Sequence, residues 1–427
     1  MLFFKLPIVI SYAPLTAYPI VEHNNTIWYN YFMKYDFCTL TDRLSQNSIK
    51  WEQMNAKNPQ AVKNGIVPLS IADMEFKTPP ELIEGIKEFA NNLIMGYTQS
   101  SSAFYDALLS WQARRHNYFP AKESIVNTFG VVHALFAAVR AFTNERDGVV
   151  LMPPVYGPFF MAVERNNRKL LECPLINSEN KWEMDFAKLE LIFKTEKPKL
   201  LLFCSPHNPV GRVWTKLELE RLADLCVTYN VLLVSDEIHN DIIMSGYKHT
   251  VIETVNSKIA DNCIVCTSCA KTFNIAGVPL SSIFIKNKTL REKFQSELDR
   301  MPGNVSSCFG FKLNEIAYTE CENWLDQCIK QIEINAALFK NQIHKNLPQV
   351  NIPVLEGTYL MWLDFRSFNF EQAKLKTLLE EKALLFFTDG LFFGNAKGFM
   401  RINLAAPQFV IEAAAQRLIK VFTDSAL

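Results

Sequence analysis

CIVCTSCAKTFNIAGVP, residues 263–279, decides how the chain reads. Ile264, Val265, Cys266 and Thr267 are β-branched or small and uncharged, the pattern of a short strand buried on both faces. That strand delivers Lys271 into a turn of small residues. Burial disfavours the charged form of an amine and lowers its pKa, and a partly neutral amine is what a Schiff-base lysine needs. Two upstream runs have the same build. LLLFCSPHNPVGR, residues 200–212, ends strand-like at Phe203 and turns from Ser205 to Gly211, while VLLVSDEIHNDI, residues 231–242, puts Asp236 and Glu237 at its tip. Three apolar strands therefore each deliver polar residues at their carboxyl ends, where ligands bind in open α/β sheets.

Around this centre the chain alternates. Residues 66–74 read as a short strand, Thr78-Pro79-Pro80 opens a helix to about Asn91, and 102–117 is an amphipathic helix. Ile125 to Thr128 reads as a strand, and Gly130 starts the helix VVHALFAAVRAF, a strand–glycine–helix arrangement able to hold an anion on free backbone amides. Residues 149–152 form the next strand, and the rhythm continues through Lys286. It predicts an α/β fold with a mostly parallel, doubly wound sheet. After about Arg291 long helices take over, with 313–345 broken only mildly. Strands at 358–364 and 398–404 and a helix at 371–382 then suggest a smaller α+β domain. The expected division is an extension at 1–32, an arm and part of the small domain at 33–90, a large domain at 91–300 and the rest of the small domain at 301–427.

Lys+Arg and Asp+Glu balance at 44 each over 427 residues, so there is no charge footprint for nucleic acid or an anionic membrane. The ten cysteines are irregularly spaced, which suits a reducing cytoplasm. Cys263, Cys266 and Cys269 resemble part of an iron–sulfur pattern, but the fourth ligand is missing and the triplet sits in a core strand, so they read as buried thiols and no metal is expected. The first 32 residues are apolar but broken by Pro14 and Pro19, too interrupted to span a bilayer.

SPHNPVGRVW, SDEIHNDI and TSCAKTFNIAG, in this order, resemble the signature of fold-type I pyridoxal-phosphate enzymes. The match is to the MalY/PatB-like branch, the cystathionine β-lyase-like members of the class I and II aminotransferases. PLSIADMEFKTPP, GYT with WQARRH, PPVYGPF, GTYLMWLD and FTDGLFFGNAKGFMRINLAAP extend it over roughly residues 34 to 425. This cofactor asks a protein for a lysine, an anion at the ring nitrogen, a phosphate cradle and ring contacts. The resemblance assigns Lys271 as the Schiff-base lysine, Asp236 as the anion and Tyr156 as the ring-stacking residue. Asn208 would bond the phenolic oxygen, with the Asn208–Pro209 bond cis. His239 falls among the cofactor contacts, although packing is the ordinary role for it and for His207. Glu237, the second acid of its pair, reads as a solvated loop carboxylate or helix cap.

The resemblance also implies a phosphate cradle from the amides of Val131 and Val132, the Ser268 hydroxyl and Tyr97 reaching in from a second subunit, hence a homodimer. Arg401 would clamp the substrate carboxylate, with Ala72, Gly357 and Thr358 lining the pocket. Two positions depart from the pattern: Ala270 stands where many relatives have serine, and His133 where many have proline. The implied reaction is β-elimination from L-cystathionine or a cysteine S-conjugate. An aminotransferase would use the same residues, and a cofactor-bearing regulatory protein is the non-enzymatic alternative.

Overall fold

Leucine, valine, isoleucine and cysteine fill the strands of one seven-stranded sheet in the computed structural model, which describes residues 34–178, 181–301 and 307–423. The extension expected at 1–32 lies outside the described residues. The chain divides into two compact units, Met1–Tyr35 and Asp36–Leu427, and everything that builds the site lies in the second.

In chain order the strands are β1 (Ile125–Thr128), β2 (Gly148–Leu151), β3 (Lys169–Glu172), a separate hairpin of β4 (Ile176–Ser178) and β5 (Lys181–Glu183), β6 (Leu200–Cys204), β7 (Leu232–Asp236), β8 (Cys263–Thr267) and β9 (Ser281–Phe284). The large sheet runs β1-β9-β8-β7-β6-β2-β3. From β3 to β8 neighbours are parallel, and β9 runs antiparallel to both β8 and β1. Every residue of β6, β7 and β8 is buried, as expected of strands covered on both faces. Alternate residues, among them Leu200, Leu202, Leu232, Val234, Ile264 and Cys266, pack into one core with the helices Val131–Phe142, Gly157–Glu164 and Lys288–Asp299. The Lys216–Thr228 helix also packs on β7, outside that core, so the strand is covered from the other side as well.

A second core gathers around a three-stranded antiparallel sheet, β10 (Leu360–Asp364), β12 (Phe399–Asn403) and β11 (Thr388–Asp389), in that spatial order. The helices Glu322–Asn346 and Gln408–Thr423 close over it, and Trp51, Met54, Ile66, Val67 and Leu69 join from the other end of the sequence. The mild break expected within 313–345 falls at Cys321, between the helices Cys308–Glu320 and Glu322–Asn346.

The strand expected at 66–74 does not form. Its backbone groups go to two different neighbours, Leu69 N to Phe386 O and Asn403 N to Leu69 O, so no ladder propagates. Beyond Leu69, side-chain amides take over. Asn403 Nδ2 donates to the carbonyls of Ile71 and Asp73, both at 2.8 Å, and the Asn274 amide brackets Met74 N, Met74 O and Phe76 O. An apolar run without a strand partner still has to satisfy its amides, and here asparagines do so.

Candidate active site

The carboxyl ends of β6, β7 and β8 lie side by side, because the three strands are parallel neighbours. Asp236 is the last residue of β7, and Lys271 follows β8 by one turn, tightened by Phe273 N donating to Cys269 O. The lysine amine donates to the carbonyl of Ala72 at 2.5 Å. Burial lowers the Lys271 pKa to about 8; the nearby Asp73 and Asp236 carboxylates oppose this, while Arg401 and Lys50 reinforce it. Burial raises Asp236 to about 7, against the pull of a hydrogen bond from Ile238 N at 3.1 Å and of the Lys271 charge.

Arg401, in β12, crosses from the small sheet into the same site. Nη1 donates to Asn208 Oδ1 at 3.0 Å, Nη2 to Ser70 O and Thr388 Oγ1, and the Phe393 ring lies 4.8 Å from the guanidinium carbon. Burial lowers its pKa to about 10. The Asn208–Pro209 bond is cis, as the resemblance implies. Tyr156 is pushed up by burial, lies within the fields of Arg401 and Asp236, and meets the Phe392 ring edge-on at 5.8 Å. His239 is driven well below the ordinary histidine value by burial and then by the charges of Lys271 and Arg401, so its ring is neutral at pH 7. His207 is a packed histidine, bonded through Nε2 to Pro154 O.

Several groups lack what a ligand would supply. Among the described residues, Arg401 Nε and His239 Nδ1 are buried without a partner, and Asp236 is a buried carboxyl with no cation bonded to it. No side chain caps the Val131–Phe142 helix, and Gly130 precedes it at φ 90°, so the amides of Val131 and Val132 sit at an open, positive helix end. A protonated pyridine nitrogen suits Asp236, a phosphate suits the helix end, and a carboxylate suits Arg401. These residues fit pyridoxal phosphate and an amino acid bound to it.

Other expected residues stand differently. The Ser268 hydroxyl donates to Leu280 O at 2.7 Å and accepts from Ala270 N, so its proton is engaged by the chain ahead of β9. Thr358, at φ +68°, turns its hydroxyl onto Leu360 N and O. Tyr97 is fully exposed and makes no hydrogen bond or ring contact among the described residues.

Glu237 corrects the expectation of a solvated carboxylate. It is fully buried, accepting from Ser235 Oγ and Ile252 N and bonded to His249 Nε2 at 2.7 Å. Its place directly after the end of a strand covered on both faces was the available signal. The quartet beside Ala72 had none: Lys50, fully buried, bonds Asp73 and Glu75, and Arg43 bonds the same two acids. These partners lie more than twenty residues apart in sequence.

Cys263, Cys266 and Cys269 are buried free thiols, and none of the ten cysteines is in a disulfide. Among the described residues no group of three or more His, Cys, Asp or Glu could hold a metal ion, and no helix is long and apolar enough to cross a membrane.

The sequence model of "Aminotransferase class I and II" matches residues 64–418. The chain belongs to that family. It is 35% identical over 378 residues to cystathionine β-lyase PatB of Bacillus subtilis, covering 88% of this chain and 97% of the relative. It is 29% identical to the protein MalY of Escherichia coli, covering 90% and 98%. The cystalysin of Treponema denticola, whose crystal structure contains pyridoxal 5'-phosphate, superposes with a TM-score of 0.90 at 45% identity, covering 92% of this chain and all of that one. The pyridoxal-phosphate-bound C–S lyase of Staphylococcus hominis superposes at 0.84 with 30% identity, covering 92% and 99%. The fold is therefore that of the fold-type I enzymes, as the sequence implies.

Proposed function

We propose that the protein is a pyridoxal-phosphate-dependent carbon–sulfur β-lyase that acts on L-cystathionine or cysteine S-conjugates and releases a thiol, pyruvate and ammonia. One observation carries this reading. Lys271, Asp236 and Arg401 arrive from three different elements in one buried site, where the lysine feels both other charges, in a chain whose relatives include enzymes named for this reaction.

Pyridoxal phosphate, when bound, supplies an electron sink that makes the substrate Cα–H bond acidic. Asp236 would keep the proton on the ring nitrogen. Tyr156 would contact the ring, and Asn208 and His239 would offer it their polar atoms. The amides of Val131 and Val132 would receive the phosphate, with the Ser268 hydroxyl after a rotamer change and Tyr97 from a second subunit. Arg401 binds the substrate α-carboxylate, and Ala72 and Thr358 line the pocket. Lys271 would hold the cofactor, and its lowered pKa leaves the amine, when free, able to take the Cα proton. The Cβ–S bond then breaks with its electron pair on sulfur, and the proton on Nζ is at hand for the departing thiolate. Water converts the remaining three-carbon unit to pyruvate and ammonia.

The exposed Ile94, Met95, Tyr97 and Phe119 support a homodimer with a shared site. The two cores support a large cofactor domain over 91–300 and a small domain over 301–427 joined by 33–90. Ten free cysteines support the cytoplasm.

The family match favours one rival, transamination. Pyruvate release from cystathionine in the absence of any keto acid, abolished by Lys271→Ala, is the expected result. A strict need for a keto-acid acceptor would establish the aminotransferase instead. A fully loaded protein inert toward every substrate offered would point to a regulatory binding role.

A further inference from the structure

Behind the lysine lies a buried carboxylate that the chemistry above does not use. Asp241, buried, accepts from Trp111 Nε1 at 2.9 Å and bonds His116 Nε2 at 2.8 Å through Oδ1, while Oδ2 accepts from Thr272 Oγ1 at 2.7 Å. Thr272 is itself fully buried and is the residue after Lys271. The next residue, Phe273, packs its ring against Trp111 at 5.5 Å, and the one after that, Asn274, is tied to Met74 and Phe76. The chain leaving Lys271 is therefore fixed at three consecutive positions, Phe273 directly to the Ser102–His116 helix and Thr272 to it through Asp241.

Taking a carboxylate out of water is costly unless it is fully bonded. Asp241 meets that requirement with three donors, and the bonds from His116, Thr272 and Trp111 hold its carboxyl below the ordinary range despite burial. The largest charge effects on Lys271 come from Asp73, Arg401, Asp236 and Lys50. The influence of Asp241 on the amine is geometric and runs through Thr272. A lysine side chain has many rotamers to lose, and an amine that must serve both the cofactor and Cα needs a fixed root.

We propose that Thr272 is a positioning residue for Lys271: its hydroxyl, gripped by Asp241, fixes the backbone from which the amine reaches the cofactor and the substrate. The inference rests on Lys271 being the cofactor lysine, so the test begins by trapping the bound cofactor with borohydride and mapping the modified peptide. A label on another lysine would overturn the site assignment itself.

With the label on Lys271, holoenzyme carrying Thr272→Val is compared with wild type. Valine keeps the shape and removes the hydroxyl. Expected are a kcat lower by about tenfold or more at a KM within about twofold, and a shifted pH midpoint for the visible band of the bound cofactor. Thr272→Ser restores both, because serine returns the donor. A folded Thr272→Val enzyme with wild-type kcat and band titration would overturn the proposal, as would a serine variant no better than valine. Should valine prevent folding, Asp241→Asn, which keeps size and loses charge, gives the same readouts. Unchanged kcat and titration in that variant overturn the proposal equally.

Discussion

Burial moves the two central protons in opposite directions. Asp236 rises from 3.8 to about 7, so without the cofactor its carboxylate is disfavoured in the folded state. A raised folded pKa means stability fully present below pH 3.8 and lost as the pH climbs through about 7, an effect of about 4 kcal/mol. Denaturant unfolding of the cofactor-free protein should show this loss between pH 4 and pH 8, and Asp236→Asn should remove most of it. A variant with the same pH dependence as wild type would count against the buried carboxylate. For Lys271 the sign reverses: with a folded value of about 8, the amine is half neutral at pH 8, and the rate of cofactor attachment should rise through that pH and then level. A rate still climbing tenfold per pH unit at pH 10 would mean an ordinary lysine. Arg401 is held by Asn208, Ser70 and Thr388 with Nε left over for a ligand. Arg401→Lys should lower kcat/KM by about 100-fold or more, because one ammonium cannot reproduce a planar fork. A loss under threefold in the pyruvate assay would remove the clamp assignment.

At the scale of elements, the link between the two sheets runs through the 3-10 turn Gly390–Phe393. Phe393 lies on Arg401, Phe392 meets Tyr156, and Phe393 O accepts from Val155 N at 3.0 Å. Gly157 makes this fit possible: a Cβ there would stand 2.8 Å from Phe392 O and 2.9 Å from its ring. Gly157→Ala should cost roughly 1–3 kcal/mol through overpacking and also lower kcat/KM, since displacing the turn disturbs Tyr156 and Arg401 together. Calorimetry beside the pyruvate assay checks both, and an unperturbed variant would show the turn to be loose. Strands β6, β7 and β8 were legible because complete burial writes itself as an uninterrupted apolar run. The coil at 66–74 is apolar too, and what withholds a ladder from it is the placement of Phe386, Asn403 and Asn274, which no local pattern announces.

For the whole molecule, the decisive question is whether Tyr97 serves a neighbour's site. Subunits carrying Lys271→Ala, mixed and reassembled with subunits carrying Tyr97→Ala, should recover about a quarter of wild-type activity, because half the dimers are mixed and each holds one intact site. No recovery would mean that each chain completes its own site. Lys271 and Asp236 could be singled out from the chain because each sits in a short motif at the end of an apolar run, and Arg401 because its motif resembles the family's. The α/β class followed from alternation, since hydrophobic periodicity is a local property. Tertiary structure alone decided the rest: the antiparallel course of β9, the grip of Asp241 on Thr272, and the Lys50–Asp73–Glu75–Arg43 quartet beside the lysine. Each depends on donors and acceptors meeting across tens to hundreds of residues, and a buried charge becomes affordable only when folding brings it a partner.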